Sequence, residues 1–87
     1  MTLTALPPQL TYRDREFLKA VAAGRVQLTC NAEPDVYVDG LAWCDPFGAR
    51  ALIGMGLIER APVGRHGERI TALLTVEGGR RLKSSFR

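Results

Sequence analysis

GLIERAPVGRHGERITALLT, residues 56–75, decides how this chain is read. Two apolar runs, LIERAPV (57–63) and ITALLT (70–75), enclose the loop GRHGER, in which Gly64 and Gly67 set off Arg65, His66, Glu68 and Arg69. Apolar runs of this length around a glycine-containing polar loop predict two strands of a long hairpin. Pro62 has no N–H to give to a ladder and confines the first strand to an edge. The loop is then either a solvent-facing turn or a basic finger held toward something negative.

Working outward, Thr75 is placed to cap a closing helix, VEGGRRLKSSF, with Glu77 in the first turn where the helix dipole favours a carboxylate. Gly78 and Gly79 predict that this helix is short or loosely held. On the other side, Asp45 is a good N-cap and Pro46 suits the first helical position. Ala49, Leu52 and Ile53 follow at i, i+3 and i+4, which predicts a helix over Pro46–Met55 ended by Gly56. Gly48 and Gly54 inside it each cost about 1 kcal/mol relative to alanine, so tertiary contacts must support it. LAW (41–43) fits one or two turns of helix closed by Asp45, whereas VYVDG (36–40) reads equally as a second short strand or as a lead-in to a helix. NAEPD (31–35) is turn chemistry and VQLTC (26–30) is a strand. Thr11 and Asp14 form a short capping box for a first helix, whose stripe is Phe17, Leu18, Val21 and Ala22 and whose stop is Gly24. Residues 1–10 are an extended lead-in, and 11–87 make one α+β domain.

At 87 residues, with 46% hydrophobic and 24% charged side chains, the chain is long enough for one core and has an ordinary globular composition. No apolar run approaches the roughly 18 residues of a membrane span, and the N-terminus lacks the basic and apolar regions of a signal peptide; the expectation is a cytoplasmic protein. Residues 1–46 carry four basic and six acidic side chains, and residues 47–87 carry eight and three. The basic excess of the second half, nearly all arginine, points to a polyanionic partner.

The order is helix, short strand, helix, helix, long hairpin, helix. In that frame, ARALIGMGLIER followed by LTVEGGRRL resembles winged helix-turn-helix regulators of the MarR, PadR and ArsR kind over residues 41–82. In those proteins a recognition helix runs into GLI, a wing follows, and LT…G…L opens the next helix. The chain as a whole is also similar to small proteins of actinobacteria and their phages. The resemblance implies a winged helix: a three-helix core, a β-hairpin wing and a short C-terminal helix.

It also implies binding of double-stranded DNA in transcription regulation, with the wing loop Gly64, Arg65, His66, Gly67 and Arg69 against the backbone or minor groove. Arg60, Arg80 and Arg81 would add backbone contacts, and Arg50 is the base-reading side chain of the 46–55 helix. That helix departs from the family, since its outer face otherwise offers Phe47, Gly48, Ala51 and Gly54. An exposed Phe47 beside Ala51 suits a protein-interaction module equally well, an adaptor or an inhibitor of a host protein. A homodimer through this face is compatible with either reading.

Catalytic motifs are missing from the sequence: there is no GxSxG, no phosphate-cradling glycine loop before Lys-Ser/Thr, and one histidine. The expectation is a non-enzyme without cofactor or metal. Cys30 and Cys44 read as two partly buried small hydrophobes, and Glu33, Asp35, Asp39 and Asp45 as turn and cap residues.

Overall fold

Thr11 opens α1 (Tyr12–Ala22) with a complete capping box: its hydroxyl accepts from the Asp14 N–H while the Asp14 carboxylate accepts from the Thr11 N–H, both at 3.0 Å. Phe17, Leu18, Ala20 and Val21 form its buried stripe, and Gly24, at φ +77°, lets the chain turn out of the helix. The structure is a computed structural model and describes residues 10–60 and 65–84. The expected lead-in over residues 1–9, the Pro62 edge position, the Gly64 hinge and the last residues of the closing helix lie outside the described residues.

β1 (Val26–Thr29), β2 (Val36–Val38) and β3 (Leu41–Ala42) follow, then α2 (Pro46–Gly54), β4 (Ile58–Arg60), β5 (Arg69–Leu74) and α3 (Val76–Ser84). The five strands form one antiparallel sheet in the order β3-β2-β1-β5-β4. This is an α+β fold of three helices and a five-stranded sheet.

One expectation is corrected here. Residues 41–43 are not helical: Leu41 and Ala42 pair with Val38 and Tyr37 as an edge strand. The cause is local. Asp39 and Gly40 both have positive φ, +55° and +83°, the requirement of a two-residue type I′ hairpin turn, and Asp-Gly is among the sequences that meet it best. The β-branched Val36 and Val38 then extend on one side of the turn, and the chain returns on the other. A hairpin therefore stands where the order of a winged helix calls for a helix.

The sheet's inner face and the helices enclose one core. Val26, Leu28, Val36, Ile58 and Ala72 come from strands, Phe17, Leu18 and Leu52 from helices, and Leu57 from the turn after α2. Trp43 stacks against Phe17 with ring centroids 5.3 Å apart, which ties the segment before α2 to α1. Asp45 caps α2 by accepting from the Gly48 N–H at 3.1 Å. A Cβ on Gly48 would collide with that carboxylate, so the glycine belongs to the cap. Thr75 caps α3 in the same manner through the Gly78 N–H, while its own hydroxyl donates to the Gly56 carbonyl at 2.6 Å.

Gly78 has a second role. A Cβ there would run into the backbone carbonyl oxygen of Leu57. The glycine is what lets the first turn of α3 lie directly on the chain leaving α2. Gly79, by contrast, would meet only Leu74 at 3.9 Å, an ordinary contact.

Candidate nucleic-acid interface

The cations in this chain divide into those bound internally and those that face solvent. Arg25 donates two hydrogen bonds to the Asp39 carboxylate, at 2.9 and 2.6 Å. The bonds from Arg25 hold the Asp39 carboxyl below its ordinary range, and those to Asp39 raise the guanidinium of Arg25. Arg13 lies 3.6 Å from Asp45, Lys19 is paired with Glu16, and Arg80 with Glu77. Asp39 and Asp45 thus hold the turn and cap positions expected of them.

Arg50 and Arg60 are also committed, to main-chain carbonyls of one loop. Arg60 donates through one nitrogen to the carbonyls of Thr29 and Asn31, at 3.1 and 2.9 Å. Arg50 donates to the Pro34 carbonyl at 3.1 Å and lies 3.9 Å from Asp35. Inside the same loop the Thr29 hydroxyl donates to the Asn31 side chain at 2.6 Å and accepts from the Asp35 N–H at 2.7 Å. Residues 29–35 are therefore clasped from β4 and from α2 by two arginines.

That loop fixes the hairpin turn in its place. Cys30 donates its N–H to the Glu68 carbonyl at 2.9 Å and accepts from the Gly67 N–H at 3.1 Å. Residues 65–68 close on themselves: the Glu68 N–H donates to the Arg65 carbonyl at 2.9 Å, and the Arg65 N–H donates to the Glu68 carboxylate at 2.8 Å. Gly67, φ +81°, fills the third position, where a type II turn requires the left-handed region. Arg65 and His66 are exposed on this turn, and their side chains have no partner among the described residues. Arg69, the first residue of β5, lays its guanidinium on the Tyr37 ring with Cζ 3.7 Å from the centroid.

The seven DNA-contact side chains expected from sequence do not form one cluster. Arg60, Arg65, His66 and Arg69 gather at one end of the β4–β5 pair. Arg80 and Arg81 stand on α3, which begins past the opposite end of β5, and Arg50 lies on α2 against residues 34–35. On α2, Phe47 is 79% exposed, with Ala51 and Gly54 exposed at i+4 and i+7, so the outward face of this helix is apolar. Arg50 Cζ sits 5.9 Å from the Phe47 ring centroid.

Cys30 is half-buried, but Cys44 is exposed, which corrects the reading of it as a partly buried hydrophobe; it precedes the α2 cap with its side chain outside the core. No group of three His, Cys, Asp or Glu side chains among the described residues could hold a metal ion. No helix among them is long and apolar enough to cross a membrane. The sequence reading missed the Arg69–Tyr37 stack and the carbonyl clasp by Arg60. Period-two alternation sets Tyr37 and Arg69 opposite the buried residues of their own strands, but their meeting depends on the register of β2, β1 and β5, which the sequence does not state. Nothing local signalled the second. No family model, curated protein or solved structure matches the chain.

Proposed function

We propose that this chain is a small DNA-binding protein, a regulator on a winged-helix variant, that meets the phosphate backbone of the duplex through Arg65, His66 and Arg69. The variant keeps the β1–β5–β4 sheet with its hairpin in the wing position, and replaces the helix before α2 with the β2–β3 hairpin. The observation that carries the reading is the 65–68 turn. Its backbone is pinned to Cys30 by two hydrogen bonds, and it presents Arg65, whose guanidinium has no carboxylate partner among the described residues. A rigid cationic turn contacts phosphate without first having to be ordered.

Base reading has less support. Arg50, the one polar long side chain facing out of α2, is held by Pro34 and Asp35, which leaves Phe47, Ala51 and Gly54. Backbone contact with little sequence preference follows. The test is a fluorescence-anisotropy titration with random-sequence duplex at two salt concentrations. Affinity should fall steeply with salt, in proportion to the phosphates neutralised. Absence of low-salt binding by the folded protein would refute the reading.

One observation favours a second reading, a protein-interaction module: the exposure of Phe47 on an apolar helix face. It calls for a protein partner whose binding is lost on Phe47→Ala and kept on Arg65→Ala.

A further inference from the structure

In an antiparallel sheet, directly opposed residues share a face. Leu28 is opposite Val36 and Ile70 on the core side. Gln27 is opposite both Tyr37 and Thr71, Thr29 is opposite Arg69, and Tyr37 is opposite Ala42. Gln27, Tyr37, Ala42, Thr71 and Arg69 therefore lie together on the outer face, across four strands, and each is exposed or half-buried.

Within this group the Tyr37 ring has two flanks. Toward β1 and β5 it carries the Arg69 guanidinium at 3.7 Å. Toward β3 its neighbour is Ala42, an exposed methyl too short to cover a phenol ring. The half-buried Tyr37 ring thus has a cation stacked on it and only a small side chain across the β2–β3 pair, with Gln27 and Thr71 on the same face of the sheet. Of the nearby carboxylates, Asp39 is bound by Arg25, Asp35 faces Arg50 at 3.9 Å, and Glu68, between Arg65 and Arg69, accepts from the Arg65 N–H at 2.8 Å. The Arg69 backbone lies two strands from that of Tyr37, about 10 Å away, a gap its side chain spans, and the 65–68 turn leads straight into it.

We propose that Tyr37, backed by Arg69, is a stacking site for an unpaired nucleobase, so that a single strand lies across the outer face of the sheet with its phosphates at Arg69 and Arg65. This deepens the nucleic-acid reading and rests on it. Aromatic side chains beside a cationic track take single strands largely irrespective of sequence, because every base has a π-face. The small Ala42 gives that face its room, and the charge of the surrounding cations suits phosphate and not a basic partner.

The test compares a labelled dT10 decamer with a random-sequence duplex by anisotropy, for the wild type, Tyr37→Ala and Tyr37→Phe. Loss of one base–aromatic stack should weaken dT10 binding by roughly five- to a hundredfold on Tyr37→Ala. The ratio of single-strand to duplex affinity should fall at least about fivefold, and Tyr37→Phe should restore it. A parallel U10 titration separates deoxyribose from ribose strands; tighter binding of either decamer supports the site and names its source. A Tyr37→Ala protein that binds both decamers as the wild type does overturns the inference. So does a wild type that binds duplex but neither decamer, which leaves the duplex reading standing; binding to none of the three overturns both. Ultraviolet cross-linking of a bromouridine-substituted decamer to the wild type needs no variant to fold: an adduct at Tyr37 supports the site, and adducts only elsewhere overturn it.

Discussion

The two faces of the one sheet are built on opposite terms. The inner face is apolar and closed, with Val26, Leu28 and Ala72 at 0% exposure against Phe17, Leu18 and Leu57. The outer face carries Gln27, Tyr37, Arg69, Thr71, Leu73 and Glu59, all reachable by solvent. Because side chains alternate along a strand, burying one set fixes the position of the other to within the pleat. The core thus does more than stabilise. It sets the spacing between Tyr37, Arg69 and the 65–68 turn, so the arrangement of the outer face is a by-product of where the apolar residues must go. Changes on the inner side should move stability and leave affinity per folded molecule alone, and changes on the outer side should do the reverse.

The largest effect belongs to the inner side. Leu57→Ala opens a cavity at a 0% exposed site and should lose about 2–5 kcal/mol, read from urea unfolding. Close behind it, Gly78→Ala pushes a methyl into the Leu57 carbonyl oxygen and should lose about 1–3 kcal/mol, even though alanine is the better helix former. Its neighbour should go the other way. Gly79→Ala meets only Leu74 at 3.9 Å and should gain up to about 1 kcal/mol. Equal signs for the two substitutions would mean that α3 does not lie on Leu57 as described.

Arg60 is where the two faces interact. It is a cation at the basic end of the hairpin, yet it donates to the carbonyls of Thr29 and Asn31. Arg60→Ala should lose about 1–3 kcal/mol, the range for a hydrogen bond from a charged group to a part-buried carbonyl. It should also weaken duplex binding, because Cys30, between those two carbonyls, pins the turn. The salt dependence of binding should not change, since no phosphate contact is removed. Arg65→Ala should show the converse, with unfolding within about 0.5 kcal/mol of wild type and a salt slope reduced by about one. If Arg60→Ala reduces the slope as Arg65→Ala does, both are phosphate ligands and the clasp is incidental.

How much of this was legible beforehand follows from the range of the interactions. Caps and turns act over three or four residues, so Thr11, Asp45 and Thr75 could be placed from the sequence, and each is found capping its helix. The Asp39-Gly40 turn was equally local, and Val-Asp-Gly-Leu states a hairpin on its own terms; LAW, too short to show a period, fits instead a turn of helix closed by Asp45, and that reading is the one the hairpin overturns. What could not be read was non-local. Gly78 looks like a poor helix residue until Leu57 is seen against it. Arg60 looks like a free cation until the loop 29 residues away in sequence is found accepting from it. The site was legible as composition, a basic hairpin, and illegible as geometry, because the stack of Arg69 on Tyr37 depends on the register of three strands.

The smallest effect concerns an ion pair on the outer side with two-point geometry, Arg25 with Asp39. The hydrogen bonds from Arg25 lower the folded-state pKa of Asp39 beneath its ordinary value of 3.8. A depressed carboxylate contributes stability that is present above its unfolded pKa and lost as pH falls through the folded one. The raised pKa of Arg25 works in the opposite sense and only at strongly alkaline pH, so near neutrality the pair is fully formed. Asp39→Asn removes the charge while keeping a residue that tolerates the positive φ of +55°, so the turn itself is spared. Both groups are exposed and the difference from wild type should be small, constant from neutral pH down to about pH 5, and shrinking below about pH 4 as the wild-type carboxylate protonates. Urea midpoints of the two proteins at pH 7 and pH 2 measure it. Convergence at the lower pH assigns the difference to the ion pair. An undiminished gap assigns it to the turn conformation, and the outer face would then contribute to stability through its backbone and not through its charges.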